Sequence, residues 1–366
     1  MTVSVAHSPG PTGPQLSKRA LGFAGIAACG LAALLLDLAG APHTLIVALS
    51  AAAIGGIAWI IGLATEQLGV SAGPKVSGVL NVAFGNAAEV VITIFALRQG
   101  LSTLVKASIT GSILSNVLLV LGLSMLTGGL KHGEQRFSRT VAGLNAAMLT
   151  IAMIGLIVPA VFAQSLPAPN HDRVEQLSTG IAIVLMITYL LSLIFFFRTP
   201  SAGGETSARA EEAEWSVWRA LGVLGVAAVA LTVLAELMVG ALEPSLKTWG
   251  ISEAFAGLIL VPLIGNASES LVAVQLALRN DMEFSMVVSL GASLQVALFV
   301  APLLIFVSLI IAKPLDLIFT PLEIVTVALS TIIVTVIAND GRSNWLEGAQ
   351  LIAVYAIVAL AFWFYP

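Results

Sequence analysis

Long apolar stretches alternate with short clusters of charge and turn-forming residues along almost the whole chain. Eleven such stretches run over about 20–39, 44–64, 76–97, 103–126, 139–163, 176–197, 216–240, 254–278, 284–311, 317–338 and 347–365. Each approaches or exceeds the roughly 20 residues that a helix needs to cross about 30 Å of hydrocarbon. They are apolar on every side rather than along one stripe, which suits a lipid solvent better than a one-sided core. The pattern predicts an all-α polytopic membrane protein with no soluble domain left over. Composition agrees: 58% of the 366 residues are hydrophobic and 10% charged, where a soluble chain has roughly 45–50% and 25%.

Charge then orients the chain. With the N-terminus inside, Lys18, Arg19, Lys75, Lys131, Arg136, Arg139, Arg198, Arg209, Arg219, Arg279 and Arg342 fall on the cytoplasmic side, and Arg98, Lys106, Arg173, Lys247 and Lys313 on the other. The excess predicts a cytoplasmic N-terminus and a C-terminus across the bilayer. Lys18 and Arg19 followed by an apolar run, with Ala39-Gly40-Ala41 at its end, faintly resemble a secretory leader. The run exceeds a usual leader core and Pro42 would follow the cut, so it is read as a retained first helix. A net charge of −4 and the lack of a long basic tract give no reason to expect a nucleic-acid partner. The lone Cys29 permits no intramolecular disulfide and no cysteine-rich metal site.

The third and eighth stretches carry matching motifs, Gly85-Asn86-Ala87-Ala88-Glu89 and Gly265-Asn266-Ala267-Ser268-Glu269. Ala96-Leu97-Arg98 and Ala277-Leu278-Arg279 end both stretches, and the following ones echo each other from Asn116 and from Gln295. This divides the chain into a tail (1–19), an extra first helix (20–42), a five-helix repeat (43–198), an acidic linker (199–215) and a second repeat (216–366). An odd number of crossings per repeat gives the two copies opposite orientation, which places a substrate site near the midplane where equivalent helices meet. Ser201 to Glu214 reads as a solvated linker or as a cation-gathering segment, and the residues do not choose between them.

A glutamate deep in a membrane helix costs roughly 2.5–3.5 kcal/mol on insertion scales, so Glu89 and Glu269 at matched positions point to function. Two carboxylates about 4 Å apart repel by roughly 4 kcal/mol at an effective dielectric near 20. Protons relieve that repulsion, and so does a shared cation, but not both at once. Gly85 and Gly265 loosen the helix just before each acid, Pro262 removes a backbone donor, and Asn86 and Asn266 share a helix face with the acids three residues on. Ser112, Asn116, Ser293 and Gln295 offer further neutral oxygens, although Ser112 and Ser293 serve close helix packing equally well. Such a set suits calcium, a hard ion that takes six to eight oxygens at about 2.3–2.6 Å. The lack of a thiolate or histidine cluster disfavours zinc, copper and iron. Glu66 and Glu236, near the ends of the second and seventh stretches, are either interfacial carboxylates or part of an ion path. Glu323 is expected at the interface. Monovalent cations remain open as the exchanged ion. An intramembrane hydrolase is the rival from another class, without a His-Glu-x-x-His or Gly-x-Ser-x-Gly motif to support it.

At these residues the chain resembles the calcium/proton exchanger family of the cation/calcium antiporter superfamily. The doubled motif, Gly111-Ser112-Ile113-Leu114-Ser115-Asn116 and Asn344-Trp345-Leu346-Glu347-Gly348 carry the resemblance, which covers about 20–366. The related sodium/calcium exchangers carry a Gly-Thr-Ser-x-Pro-Glu type of signature, absent here. The resemblance implies eleven helices as one extra helix plus two inverted five-helix repeats. It implies Glu89 and Glu269 as cation and proton sites, Asn86 and Asn266 beside them, and Glu66 and Glu236 as accessory acids. It further implies a transporter rather than an enzyme, with Ca2+ and H+ as its substrates, the lipid bilayer as its surroundings and no cofactor. A homo-oligomer is compatible with it, and the short linker suits a prokaryotic inner membrane better than a vacuole.

Overall fold

The computed structural model describes residues 14–72, 74–166, 171–198 and 215–365. The acidic linker, apart from Trp215, and most of the N-terminal tail lie outside the described residues. The chain runs through α1 (Pro14–Leu38), α2 (His43–Ala72), α3 (Pro74–Phe84), α4 (Ala87–Arg98) and α5 (Ser102–Leu114). A π-helical turn (Ser115–Val120) leads into α6 (Leu121–His132), followed by strand β1 (Gln135–Arg136), α7 (Arg139–Ser165) and α8 (His171–Arg198). The second half comprises α9 (Val217–Trp249), α10 (Glu253–Phe255), a π turn (Ala256–Leu260), α11 (Val261–Gly265) and α12 (Ala267–Leu278). It ends with α13 (Met282–Gln295), a π turn (Val296–Val300), α14 (Ala301–Ile310), α15 (Pro321–Ala338), strand β2 (Arg342–Ser343) and α16 (Trp345–Trp363).

Among the described residues ten helices are long and apolar enough to span a bilayer, and Glu253–Gly265 with Ala267–Leu278, bent by 62° at the break, brings the number to eleven. The two halves keep a constant register through their central helices: α5 and α13 begin at Ser102 and Met282, and the π turns that follow end at Val120 and Val300. The most apolar 18-residue window of the continuous span Ser102–His132 is 83% buried, against 17% for that of Asp172–Phe196. The α5–α6 span is therefore the hub, and α8 faces outward.

Small residues let backbones touch at this hub. A Cβ on Gly111 of α5 would lie 2.3 Å from the Leu258 carbonyl oxygen, and one on Gly257 would lie 2.4 Å from that of Leu104. In a bilayer, where apolar side chains gain nothing by leaving lipid for protein, such close van der Waals packing is what holds helices together. Pro262 has no N–H to offer Leu258, and the π turn lies directly before it. The hub thus meets a stretch of backbone that has already left regular α-helical pairing.

Several boundaries differ from the expectation. Helices α2 and α9 run on to Ala72 and Trp249 instead of stopping near 64 and 240, because a glutamate does not end a helix. Gly250, in the left-handed conformation at φ 69°, ends α9. Glu66 consequently lies within α2 rather than closing it, and Glu236 sits well inside α9. The third and eighth stretches are each broken, at Gly85-Asn86 and at Asn266. The tenth starts at Pro321, where Thr320 and Glu323 form a capping box. Glu323 is not solvated: it is 3% exposed and also accepts a hydrogen bond from Thr110 at 3.0 Å. Strands β1 and β2 pair antiparallel and join the loop after α6 to the loop after α15. Two-residue strands leave no periodic signal in a sequence, and none was expected.

Candidate functional site

The site forms where the two broken helices meet. Asn86 and Asn266 stand at the N-caps of α4 and α12 with near-identical backbones, φ −103° and ψ 26° against φ −97° and ψ 11°. Hydrogen bonds from Gly85 N to Asn81 O (2.8 Å) and from Asn266 N to Pro262 O (2.9 Å) close the preceding turns. Neither asparagine side chain caps its helix, although asparagine is among the best residues for doing so. Glu89 and Glu269 each occupy the third position of the new helix, where the N-terminal end of the helix dipole favours a negative charge.

The motifs touch directly. A Cβ on Gly265 would lie 3.4 Å from Glu89 Cβ and 3.7 Å from its Cα, so the second break packs against the first acid. Glu89 is 1% exposed and its Oε1 accepts a hydrogen bond from Ser112 Oγ. Its Oε2, the Oε2 of Glu269 and both amide atoms of Asn86, Asn266 and Asn116 are buried without a hydrogen-bond partner. Buried polar groups are nearly always paired. Eight of the fifteen buried unpartnered side-chain atoms among the described residues belong to these five residues, which makes them the candidate polar cage. No group of three or more His, Cys, Asp and Glu forms among the described residues. A cation here would depend on two carboxylates and neutral oxygens.

Not every expected residue joins the cage. Ser293 Oγ donates to Ser289 O (3.2 Å) and Ile113 O (3.4 Å), not to a carboxylate. The register of the halves gives Ser112 the partner Ala292, so Ser293 is not its equivalent. Gln295 splints the end of α3, its Nε2 donating to Val82 O (2.8 Å) and Asn81 O (3.2 Å). Its Oε1 lies beside the first break, 3.4 Å from a Cβ built on Gly85. Glu66 and Glu236 are exposed on α2 and α9 and stand outside the buried cluster. They are equivalent all the same: Ile61, Ala64 and Leu68 are buried around Glu66 as Leu231, Leu234 and Met238 are around Glu236. Thr93 was missed by sequence reasoning. Its Oγ1 bonds the Glu89 carbonyl at 2.7 Å, and the spacing of four residues on a helix was the available signal.

The model of the sodium/calcium exchanger protein family matches residues 42–198 and 219–364. The chain belongs to this family. It is 39% identical over 330 residues to a Ca(2+)/H(+) antiporter of Aphanothece halophytica, covering 86% of this chain and 88% of that one. A Ca(2+)/H(+) antiporter of Synechocystis is 40% identical over 342 residues, covering 88% and 92%. Among solved structures, native YfkE superposes with a TM-score of 0.82 at 34% identity, over 93% of this chain and 99% of that one. The H+/Ca2+ exchanger CAX, at 17% identity and a TM-score of 0.72 over 94% and 92%, shares the fold.

The two acid-bearing helices of the exchanger are buried to different extents. On α4, Ala88, Glu89, Ile92, Thr93, Phe95, Ala96 and Leu97 are buried, and α9 packs along this helix. On α12 only Ala273 and Ala277 are buried, and Glu269 is partly exposed.

Proposed function

We propose that this chain exchanges Ca2+ for H+ across the membrane through one site built on Glu89 and Glu269, with Asn86, Asn266 and Asn116 as neutral neighbours. The observation that carries the reading is the meeting of two acid-bearing helix breaks in one buried cage of unpartnered polar atoms. The antiporter relatives, at about 40% identity across most of both chains, support calcium as the cargo and a transporter rather than an enzyme.

The chemistry follows from charge. Two ionised carboxylates at one buried point repel each other, and a divalent ion between them cancels both charges. Two protons cancel them equally well, so the ion and the protons displace each other. Neither occupant leaves a net charge in hydrocarbon, whereas the empty ionised site does, and that asymmetry couples the two fluxes. The Gly85 and Gly265 breaks free backbone and side-chain oxygens for a hard cation, which membrane depth allows only where they line a protein cavity. Ser112 holds Glu89 in place. The distribution of Lys and Arg supports an N-terminus and an Arg279 side in the cytoplasm. On this reading the exchanger loads calcium from the cytoplasm and releases protons to it, and movement of α2 and α9 against the hub exposes the site to the other side.

The test is calcium uptake into everted vesicles or proteoliposomes under an imposed pH gradient. Uptake collapses with a protonophore and is absent in Glu89→Gln and Glu269→Gln. Normal transport by the Gln variants defeats the site, and proton-coupled movement of sodium or potassium without calcium defeats the cargo.

A further inference from the structure

Three loops meet at one end of the bundle, after α6, after α12 and after α15, and the exchange chemistry uses none of them. At the end of α12, Leu278 O accepts a hydrogen bond from Lys131 Nζ and lies as close to His132 Nε2, both at 2.9 Å. Gln135 Nε2 donates to Ala277 O and to Asn280 Oδ1, each at 3.0 Å. Strand β1 pairs with β2, and Arg139 Nε donates to Asp340 O at 2.7 Å. The three loops thus form one clasp around the end of α12.

The pleat of the short ladder sorts its side chains. Gln135 and Ser343 are register partners, and both are buried. Arg136 and Arg342 are partners on the other face, and both are exposed. Like charges directly opposite each other in a ladder are destabilising. Lys131, Arg139 and Arg279 are exposed around them. The nearby acids do not balance these five cations. Glu134 pairs with Arg342 at 3.3 Å, Asp340 accepts from Arg342 N at 2.8 Å, and Asp281 caps α13. Among the described residues Lys131, Arg136, Arg139 and Arg279 form no ion pair. The rim of this surface is apolar. Leu130 is 68% exposed beside Lys131, and Trp345 and Leu346, 49% and 50% exposed, follow β2. A Cβ on Gly129 would lie 2.4 Å from Trp345 N, so the two rims adjoin. Exposed tryptophan and leucine at the end of a membrane helix belong at headgroup level.

We propose that this surface binds the headgroup of an acidic phospholipid, with Arg136 and Arg279 as its principal phosphate contacts and Leu130 and Trp345 beside the acyl chains. Guanidinium groups suit a phosphate, which they meet with paired donors. The phosphate offsets the repulsion between Arg136 and Arg342, and the apolar rim selects a lipid over a free anion. The bound lipid rests on the clasp that holds the end of α12, the helix that carries Glu269. This binding is independent of which cation the protein carries.

Native mass spectrometry of the purified full-length protein, titrated with phosphatidylglycerol or phosphatidylcholine, tests it. The unsubstituted protein binds one phosphatidylglycerol about tenfold or more tighter than phosphatidylcholine. Arg136→Gln/Arg279→Gln loses about thirtyfold of that affinity, the scale of two basic residues at an anionic surface. Arg198→Gln/Lys313→Gln removes two exposed charges elsewhere and binds as the unsubstituted protein does. Equal affinity of the Arg136→Gln/Arg279→Gln protein and this control overturns the site, and so does equal binding of the two lipids. Displacement of phosphatidylglycerol by millimolar inorganic phosphate overturns the lipid as occupant and leaves a site for free anions. A second arm needs no variant: affinity of the unsubstituted protein for phosphatidylglycerol falls severalfold as salt is raised, because exposed charges are screened. An affinity indifferent to salt overturns the phosphate contact. Failure of the protein to exchange calcium would defeat the cargo reading and leave each of these outcomes standing.

Discussion

Helices α4 and α12 begin with the same motif, break at the same asparagine and hold their glutamate at the same position, yet one is enclosed and the other is not. Glu89 is sealed, with Ser112 on one oxygen, and Gly265 packs against its Cα and Cβ. Glu269 is partly exposed, and no serine stands at the position equivalent to Ser112. The local structures match because local sequence dictates them. The environments differ because α9 packs along the length of α4, whereas α2 meets the second break at Gly55, where a Cβ would lie 3.9 Å from Ala267 Cβ. A transporter that presents one site to two sides in turn needs this arrangement: symmetric parts held in an asymmetric state.

The comparison can be broken most directly by removing its shared element. Glu89→Gln and Glu269→Gln should each abolish proton-driven calcium uptake, because one remaining carboxylate cannot neutralise a divalent ion. Both substitutions keep volume and hydrogen-bonding capacity, so folded protein in size-exclusion chromatography is expected for each. If one Gln variant exchanges normally, the two halves are not chemically equivalent.

Removing the asymmetric hydrogen bond should cost less. Ser112→Ala deletes a donor to a charged group, worth about 1.5–3 kcal/mol, and should weaken apparent calcium affinity by roughly tenfold to a hundredfold. Ser293→Ala should change it by less than about twofold, since a neutral hydroxyl bonding its own helix contributes little. Calcium titrations of uptake at fixed pH measure both. Equal losses would show that Ser293 reaches the site after all.

Acidifying the medium on the Arg279 side should raise the calcium concentration needed for half-maximal uptake, since protons and calcium compete for the same two carboxylates. The sign follows from occupancy: below the point at which the pair takes up protons, calcium must displace them. An affinity independent of pH in the unsubstituted protein would separate the two ions onto different sites.

Smaller effects should come from the supports. Gln295→Ala removes the two hydrogen bonds that hold the end of α3 and should slow exchange by a few-fold, on the order of 1 kcal/mol for neutral donors. Glu66→Gln and Glu236→Gln, on exposed positions of α2 and α9, should lie within about twofold of the unsubstituted rate, as exposed carboxylates generally contribute little. A loss as large as that of Glu89→Gln would bring these acids into the ion path.

Much of the candidate site was legible because the motif is doubled. Either Gly-Asn-Ala-x-Glu alone would have been one intramembrane acid, whereas two at equivalent positions of an inverted repeat had to meet. The roles of the neutral residues were less legible. Ser112, Ser293 and Gln295 were grouped as oxygen donors by residue type, but donation depends on helix rotation and on which neighbour arrives first. Ser112 reaches Glu89, Gln295 is taken by the carbonyls of Asn81 and Val82, and Ser293 turns back to Ser289. Glu323 is a similar case. An acid near a helix start reads as interfacial, but Thr110 on α5 and the Thr320 cap draw it into the protein.

What the sequence by itself determined was the class of molecule, the number of crossings within one broken pair, the repeat and the two acids. These depend on apolar run length, charge placement and internal similarity, all of which are properties of the chain in one dimension. Only the tertiary structure decided which half is closed, which oxygens face the acids and where a glycine is crowded or free. Those depend on which of two equivalent helix faces a distant segment occupies, and two copies of one pattern cannot state that difference.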